Sequence, residues 1–202
     1  MAALKLITPA TTYPVTLDEA KAHLNIDFDD DDALIEVYRK AATEDAENFT
    51  GRAFYDQTWD YYFDAFPSGN EIKIPRAPMI EVIGVFSRAS GGDEVEMPEA
   101  GYQVDVASAP GRVVLASGGS WPSPTTNANA GRIRFRAGYV DQDVSPEAGL
   151  VPFAIKAAIL LTIGTLYANR ETVVIGQTAT MMPWAAEQLL RSGDLCIRTA
   201  LA

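Results

Sequence analysis

Apolar and polar positions along this chain follow two different periods. Leu17, Ala20 and Leu24 recur at helical spacing behind Thr16-Leu17-Asp18-Glu19. That tetrapeptide is a capping box, in which Thr16 and Glu19 each satisfy the other's free backbone donor. The pattern predicts a short amphipathic helix over residues 16–25, preceded by an extended arm over residues 4–12. Leu34, Ile35, Tyr38, Ala41, Ala42 and Phe49 form one stripe of a second helix, residues 32–50. Gly51 stands where a helix C′ residue takes positive φ. The period then shortens to two. Residues 57–66, 71–74, 80–88, 102–106, 112–116 and 132–137 are β-branched and aromatic runs separated by Pro, Gly, Ser and Asn, and they predict strands. The fourth and fifth flank a five-residue hairpin loop, residues 107–111. In the last run Ile133 and Phe135 alternate with Arg132, Arg134 and Arg136, giving one buried and one basic face.

Helical spacing returns at residues 152–171, PFAIKAAILLTIGTLYANRE. Pro152 suits a first helical position. Lys156 is the only charge between Phe153 and Ala168, so the helix is apolar all round and needs cover on most sides, some of it from other subunits. Ala157, Gly164 and Ala168 form a small stripe at which another backbone is expected to come close. The run is shorter than the ~20 apolar residues a bilayer span requires, so no membrane segment is expected. A link over residues 172–182, a short helix over 183–191 and residues 194–202 follow. The expected fold class is a mainly α-helical core with an inserted β-rich segment (α+β). Residues 1–54 supply the N-terminal helices, 55–140 the insertion, and 141–202 the long helix, the short helix and the last segment.

Charge and composition narrow the function. The chain has 202 residues, 48% of them hydrophobic, and a net charge of −11. A nucleic-acid binder usually shows a basic face, so gripping phosphates is not expected as its main business. One cysteine, Cys196, excludes an internal disulfide. The first ten residues lack the basic start and long apolar run of a signal peptide, which places synthesis in the cytoplasm. His23 is the only histidine; it lies on a short amphipathic helix, with no Cys–His or Ser–His arrangement around it. No nucleophile elbow or phosphate-cradling loop occurs. Asp27, Asp29 and Asp31 match alternate ligand positions of a calcium loop, but Asp32 replaces the required Gly and Tyr38 the required Glu. The acidic run instead suits the N-terminal end of the second helix. No catalytic residue, cofactor or metal site is expected. The arginine row is either a solvated strand face or a contact for an acidic partner, such as residues 27–32 of a neighbouring subunit.

Several segments together resemble one family. They are Pro14-Val15-Thr16-Leu17-Asp18-Glu19-Ala20-Lys21, residues 30–34, Thr50-Gly51-Arg52-Ala53, Gln57-Thr58-Trp59, Ile74-Pro75-Arg76-Ala77-Pro78, Gly101-Tyr102-Gln103-Val104-Asp105, Ala137-Gly138-Tyr139 and residues 152–171. In this order and spacing the chain is similar to the head–tail connector, or adaptor, proteins of long-tailed phages, prophages and gene transfer agents. The resemblance implies a non-enzymatic virion protein at the head–tail junction. It would form a ring of about a dozen copies beneath the portal, extend the DNA channel and carry the tail-completion or stopper protein. DNA would pass through the lumen without sequence-specific binding. A ring interface is expected to draw on Tyr38, Phe49 and Tyr167 and on the Arg132, Arg134, Arg136 row. Leu195, Ile197, Arg198 and Leu201 are expected to face the portal, although residues 192–198 depart from the arginine-rich ending usual in the family. The alternative is a β-rich carbohydrate-binding module, with Trp59, Tyr61, Tyr62 and Trp121 as a sugar-stacking surface on a helical scaffold.

Overall fold

The computed structural model describes residues 2–88, 93–123, 128–139, 151–169 and 183–192. They divide into two compact units. One comprises residues 2–11 with the described part of 51–139, the other residues 12–50, 151–169 and 183–192.

The second unit is helical: α1 (Leu17–Leu24), α2 (Asp32–Thr50), α3 (Phe153–Ala168) and α4 (Trp184–Arg191). The capping box forms, with the Thr16 N–H donating to Glu19 Oε2 at 2.7 Å and the Glu19 N–H to Thr16 Oγ1 at 3.1 Å. Asn25 closes α1 in the left-handed region, and Gly51 follows α2 with φ 72°. Pro152 and Pro183 are the caps of α3 and α4 rather than their first helical residues, with extended ψ of 138° and 142°. Along α3, Ile155, Ala158, Ile159, Thr162 and Ile163 are buried. Their i, i+3, i+4, i+7, i+8 spacing makes a single face. At Gly164 of the small stripe, a Cβ would lie 3.3 Å from the His23 side chain, which is the group close to that position among the described residues.

The first unit is all antiparallel. Its larger sheet has the order β1-β2-β8-β4-β5, with β1 Ala2–Thr8, β2 Gln57–Phe63, β4 Met79–Arg88, β5 Glu94–Glu96 and β8 Gly131–Ala137. A smaller sheet has the order β3-β7-β6, with β3 Glu71–Lys73, β6 Tyr102–Asp105 and β7 Arg112–Leu115. The alternation of β8 sorts the large sheet into two faces. Ile133 and Phe135 are paired with Tyr61 and Trp59 on β2 and with Val85 and Val82 on β4. The small sheet adds Ile72, Tyr102 and Val113 to the same buried cluster.

This arrangement corrects the expected fold class. The molecule is not a mainly helical core with a β excursion. Among the described residues, four helices stand beside eight strands in two antiparallel sheets. The reason is physical: the sheets bury a core of their own around Trp59, Ile133 and Phe135, and the N-terminal arm is a strand of the larger one.

Candidate functional site

Three of the segments that carried the resemblance meet in the β unit. The Ala53 N–H donates to the Ala77 carbonyl at 2.9 Å, and Arg76 Nη1 to the Arg52 carbonyl at 3.0 Å. The Gly138 N–H donates to the Pro78 carbonyl at 2.9 Å, and Arg52 Nη1 lies 3.1 Å from the Tyr139 hydroxyl. Gly138 has φ 143°, and a Cβ there would sit 2.1 Å from the Tyr55 carbonyl oxygen. The recurring Pro, Gly and Arg residues of these segments thus build one junction of close-packed backbone.

The arginine row stands on the outer face of the large sheet, matched by carboxylates from neighbouring strands. Arg132 reaches Asp60 at 3.2 Å and Glu94 at 2.5 Å; Arg134 reaches Asp60 at 2.7 Å. Arg136 pairs with Asp56 and with Glu81. The Arg132 guanidinium also lies over the Phe86 ring, 4.0 Å from its centroid. Asp60 is only 1% exposed. Its burial pushes the carboxyl pKa up, but the two guanidiniums outweigh that and hold it below the usual value.

The acidic run is partnered as well. Lys21 Nζ lies 2.6 Å from Asp29 Oδ1 and 2.7 Å from Asp32 Oδ1. The Tyr167 hydroxyl donates to Asp31. Among the described residues no group of three or more His, Cys, Asp or Glu is placed to hold a metal ion. Phe49 is half-buried, with the Arg191 guanidinium 5.0 Å from its ring centroid. Tyr38 is half-buried on α2. Tyr167, through Asp31, belongs to the start of α2 and Phe49 to its end, so these aromatics do not converge. Leu195, Ile197, Arg198 and Leu201 lie outside the described residues.

Of the four aromatics of the sugar-stacking alternative, Trp59, Tyr61 and Trp121 are in the sheet core or packed against it, and the Tyr62 hydroxyl lies 3.3 Å from Asp60. Trp59 is buried in the sheet core, with the Arg76 guanidinium 4.8 Å from its ring centroid. Trp121 stacks on Phe66 at 5.7 Å and donates its indole N–H to the Gly69 carbonyl at 2.7 Å. Both are structural anchors.

Sequence reasoning did not single out the exposed apolar residues of the helical unit. Phe153 is 81% exposed at the start of α3, Trp184 75% at the start of α4, and Val37 59% on α2. Opposite the buried face of α3, Ala157, Leu160 and Leu161 are half-buried and Ala168 is exposed. The uniform apolarity of residues 153–168 was the available signal.

Residues 14–87 match the family described as Phage gp6-like head-tail connector protein. No curated protein sequence matches the chain. Among solved structures, a chain from the neck of an empty GTA particle computed with C6 symmetry superposes with a TM-score of 0.75 at 20% identity, covering 97% of this chain and 96% of that one. A chain from the neck of a native GTA particle computed with C12 symmetry gives 0.73 at 22% identity, covering 97% and 96%. One from the virion of a native gene transfer agent particle gives 0.70 at 22%, covering 93% of each. The chain is thus similar in sequence to the phage head–tail connector family over α1, α2 and the first three strands that follow, and shares its fold with these neck and virion chains over nearly its whole length.

Proposed function

We propose that this protein is an architectural connector at the head–tail junction of a phage-like or gene transfer agent particle. Copies assemble side by side into a ring beneath the portal, continue the DNA channel and seat the tail-completion protein. The observation that carries this reading is the agreement of two independent comparisons, the sequence match over residues 14–87 and the fold shared with neck chains. The protein contributes shape and contacts rather than a reaction.

A ring interface is head to tail, so it uses two different patches. One lies on the helical unit, on the open side of α3 around Phe153; Tyr38, Phe49 and Tyr167 do not converge there and are separate contact points on the same unit. The other lies on the β unit and includes the outer face bearing Arg132, Arg134 and Arg136. Those arginines are already matched by carboxylates, which leaves little uncompensated positive charge there to hold a duplex. A net charge of −11 favours passage of DNA over adhesion, because affinity for the phosphate backbone comes mainly from cationic side chains. Electron microscopy of particles made with and without the protein tests the reading: the expected result is density for a ring at the neck, and unjoined heads and tails when the gene is deleted. Fully joined particles lacking the protein would end it.

A further inference from the structure

Helix α2 carries a charge that its own chain leaves unmatched. The buried face of the helix is Ile35, Ala42, Thr43, Ala46 and Thr50. Tyr38, Ala41, Asp45 and Phe49 follow one another at i, i+3, i+7 and i+11, so they run along one flank of the helix. Tyr38, Asp45 and Phe49 are half-buried. Among the described residues, Asp45 is the one half-buried carboxylate that no hydrogen bond or ion pair reaches. Arg191, over the Phe49 ring one turn further on, is engaged by Glu187 at 2.8 Å. Burial alone pushes the Asp45 carboxyl pKa up. A carboxylate drawn partly out of water is costly until a cation meets it.

The β unit carries the complement. Lys5 on β1 stands opposite Asp60, and Asp60 opposite Arg134, so Lys5 shares the outer face with the arginine row. Asp60 is buried and already holds Arg132 and Arg134. The exposed Lys5 ammonium is left over, with no hydrogen bond or ion pair. Lys73 on β3 is the other described cation without such a contact, but it belongs to the small sheet. Only Lys5 lies on the face that the ring reading gives to the neighbouring copy. We propose that Asp45 of one copy pairs with Lys5 of the next. The pairing rests on the ring reading and deepens it, because it names the charges that set the helical unit in register against the sheet face. The two groups belong to different patches, so the contact repeats around a closed ring. Complementary charges fix register, and removing one leaves the other desolvated and unpaired.

A double-mutant cycle tests the pair. Particles made without the gene are supplied with the unmodified protein, Asp45→Asn, Lys5→Gln or the chain carrying both changes. Heads joined to tails are counted by electron microscopy, and the thermal midpoint of each separate subunit is measured. Each single change is expected to lower the joined fraction about tenfold, and the double change to lower it no further than the worse single one. Asp45→Asn removes an unmatched charge, so the midpoint of the separate subunit should stay or rise. Lys73→Gln should join heads to tails as the unmodified chain does. Normal joining with either single change overturns the pair and leaves the ring standing. So does a double change whose loss is the product of the two single losses, or coupling of Asp45 to Lys73 instead of Lys5. A lower midpoint with Asp45→Asn would place its partner within its own chain and also overturn the pair. Joined particles in the absence of the gene overturn the ring reading itself.

Discussion

A single hydroxyl holds the start of α1. Thr16 Oγ1 satisfies the Glu19 N–H, and nothing in an alanine could replace it. Thr16→Ala is expected to cost about 1 kcal/mol, read as a lowered urea midpoint of the helical signal, while Thr16→Ser keeps most of the stability. Gly138 is the opposite case, where the absence of a side chain matters. Its φ of 143° is disfavoured for any L side chain, and the Tyr55 carbonyl lies where a Cβ would go. Backbone strain and overpacking add, so Gly138→Ala is expected to destabilise the β unit by about 3 kcal/mol or more. A thermal midpoint unchanged by that substitution would contradict the geometry of the junction.

Strand β8 shows what one element does when both of its faces are committed. One face buries Ile133 and Phe135; the other suspends three arginines among carboxylates from β2, β4 and β5 and the residue just before β2. Asp60 serves two of them, and removing it leaves Arg132 with Glu94 but strips Arg134 of its partner. Breaking a buried pair costs about 3–5 kcal/mol, and the remaining Glu94 contact puts Asp60→Asn near the low end of that range. The pH dependence has a definite sign. The Asp60 carboxyl is held below its usual value, so its contribution is fully present above the ordinary carboxylate range and is lost as pH falls through the folded-state value. Stability of the β unit should therefore drop below about pH 4, and Asp60→Asn should remove part of that drop while lowering stability at neutral pH. Alternation made the two faces of β8 legible in the sequence. The carboxylates that match its arginines were not legible, because long-range pairing brings them together. Helix α2 was legible to the residue, since Asp32 opens it and Gly51 ends it. Strands β1 and β5 were missed as strands for different reasons: β1 is specified by its pairing with distant β2, and Glu-Val-Glu carries no strand composition.

At the scale of the whole molecule, the uniform apolarity of α3 leaves a question that composition alone does not answer: which side faces the chain's own core. Tertiary packing selects Ile155, Ala158, Ile159, Thr162 and Ile163, and leaves Phe153 at 81% exposure. A large aromatic so exposed contributes little to the fold of an isolated copy, because burial of apolar area is what stabilises. It gains when another copy covers it. Phe153→Asp is therefore expected to leave the thermal midpoint of the separate subunit within about 0.5 kcal/mol of its original stability. In a ring the same change sets a charge against an apolar surface, at every interface at once. The expected outcome is a folded protein that fails to oligomerise in light scattering and leaves heads and tails unjoined in particle preparations. Phe153→Leu, which keeps the apolar side chain, should restore both. If Phe153→Asp assembled as well as the unmodified chain, the open side of α3 would not be the ring contact, and the search would move to Trp184, Val37 and Phe28, the other large exposed apolar side chains among the described residues of the helical unit.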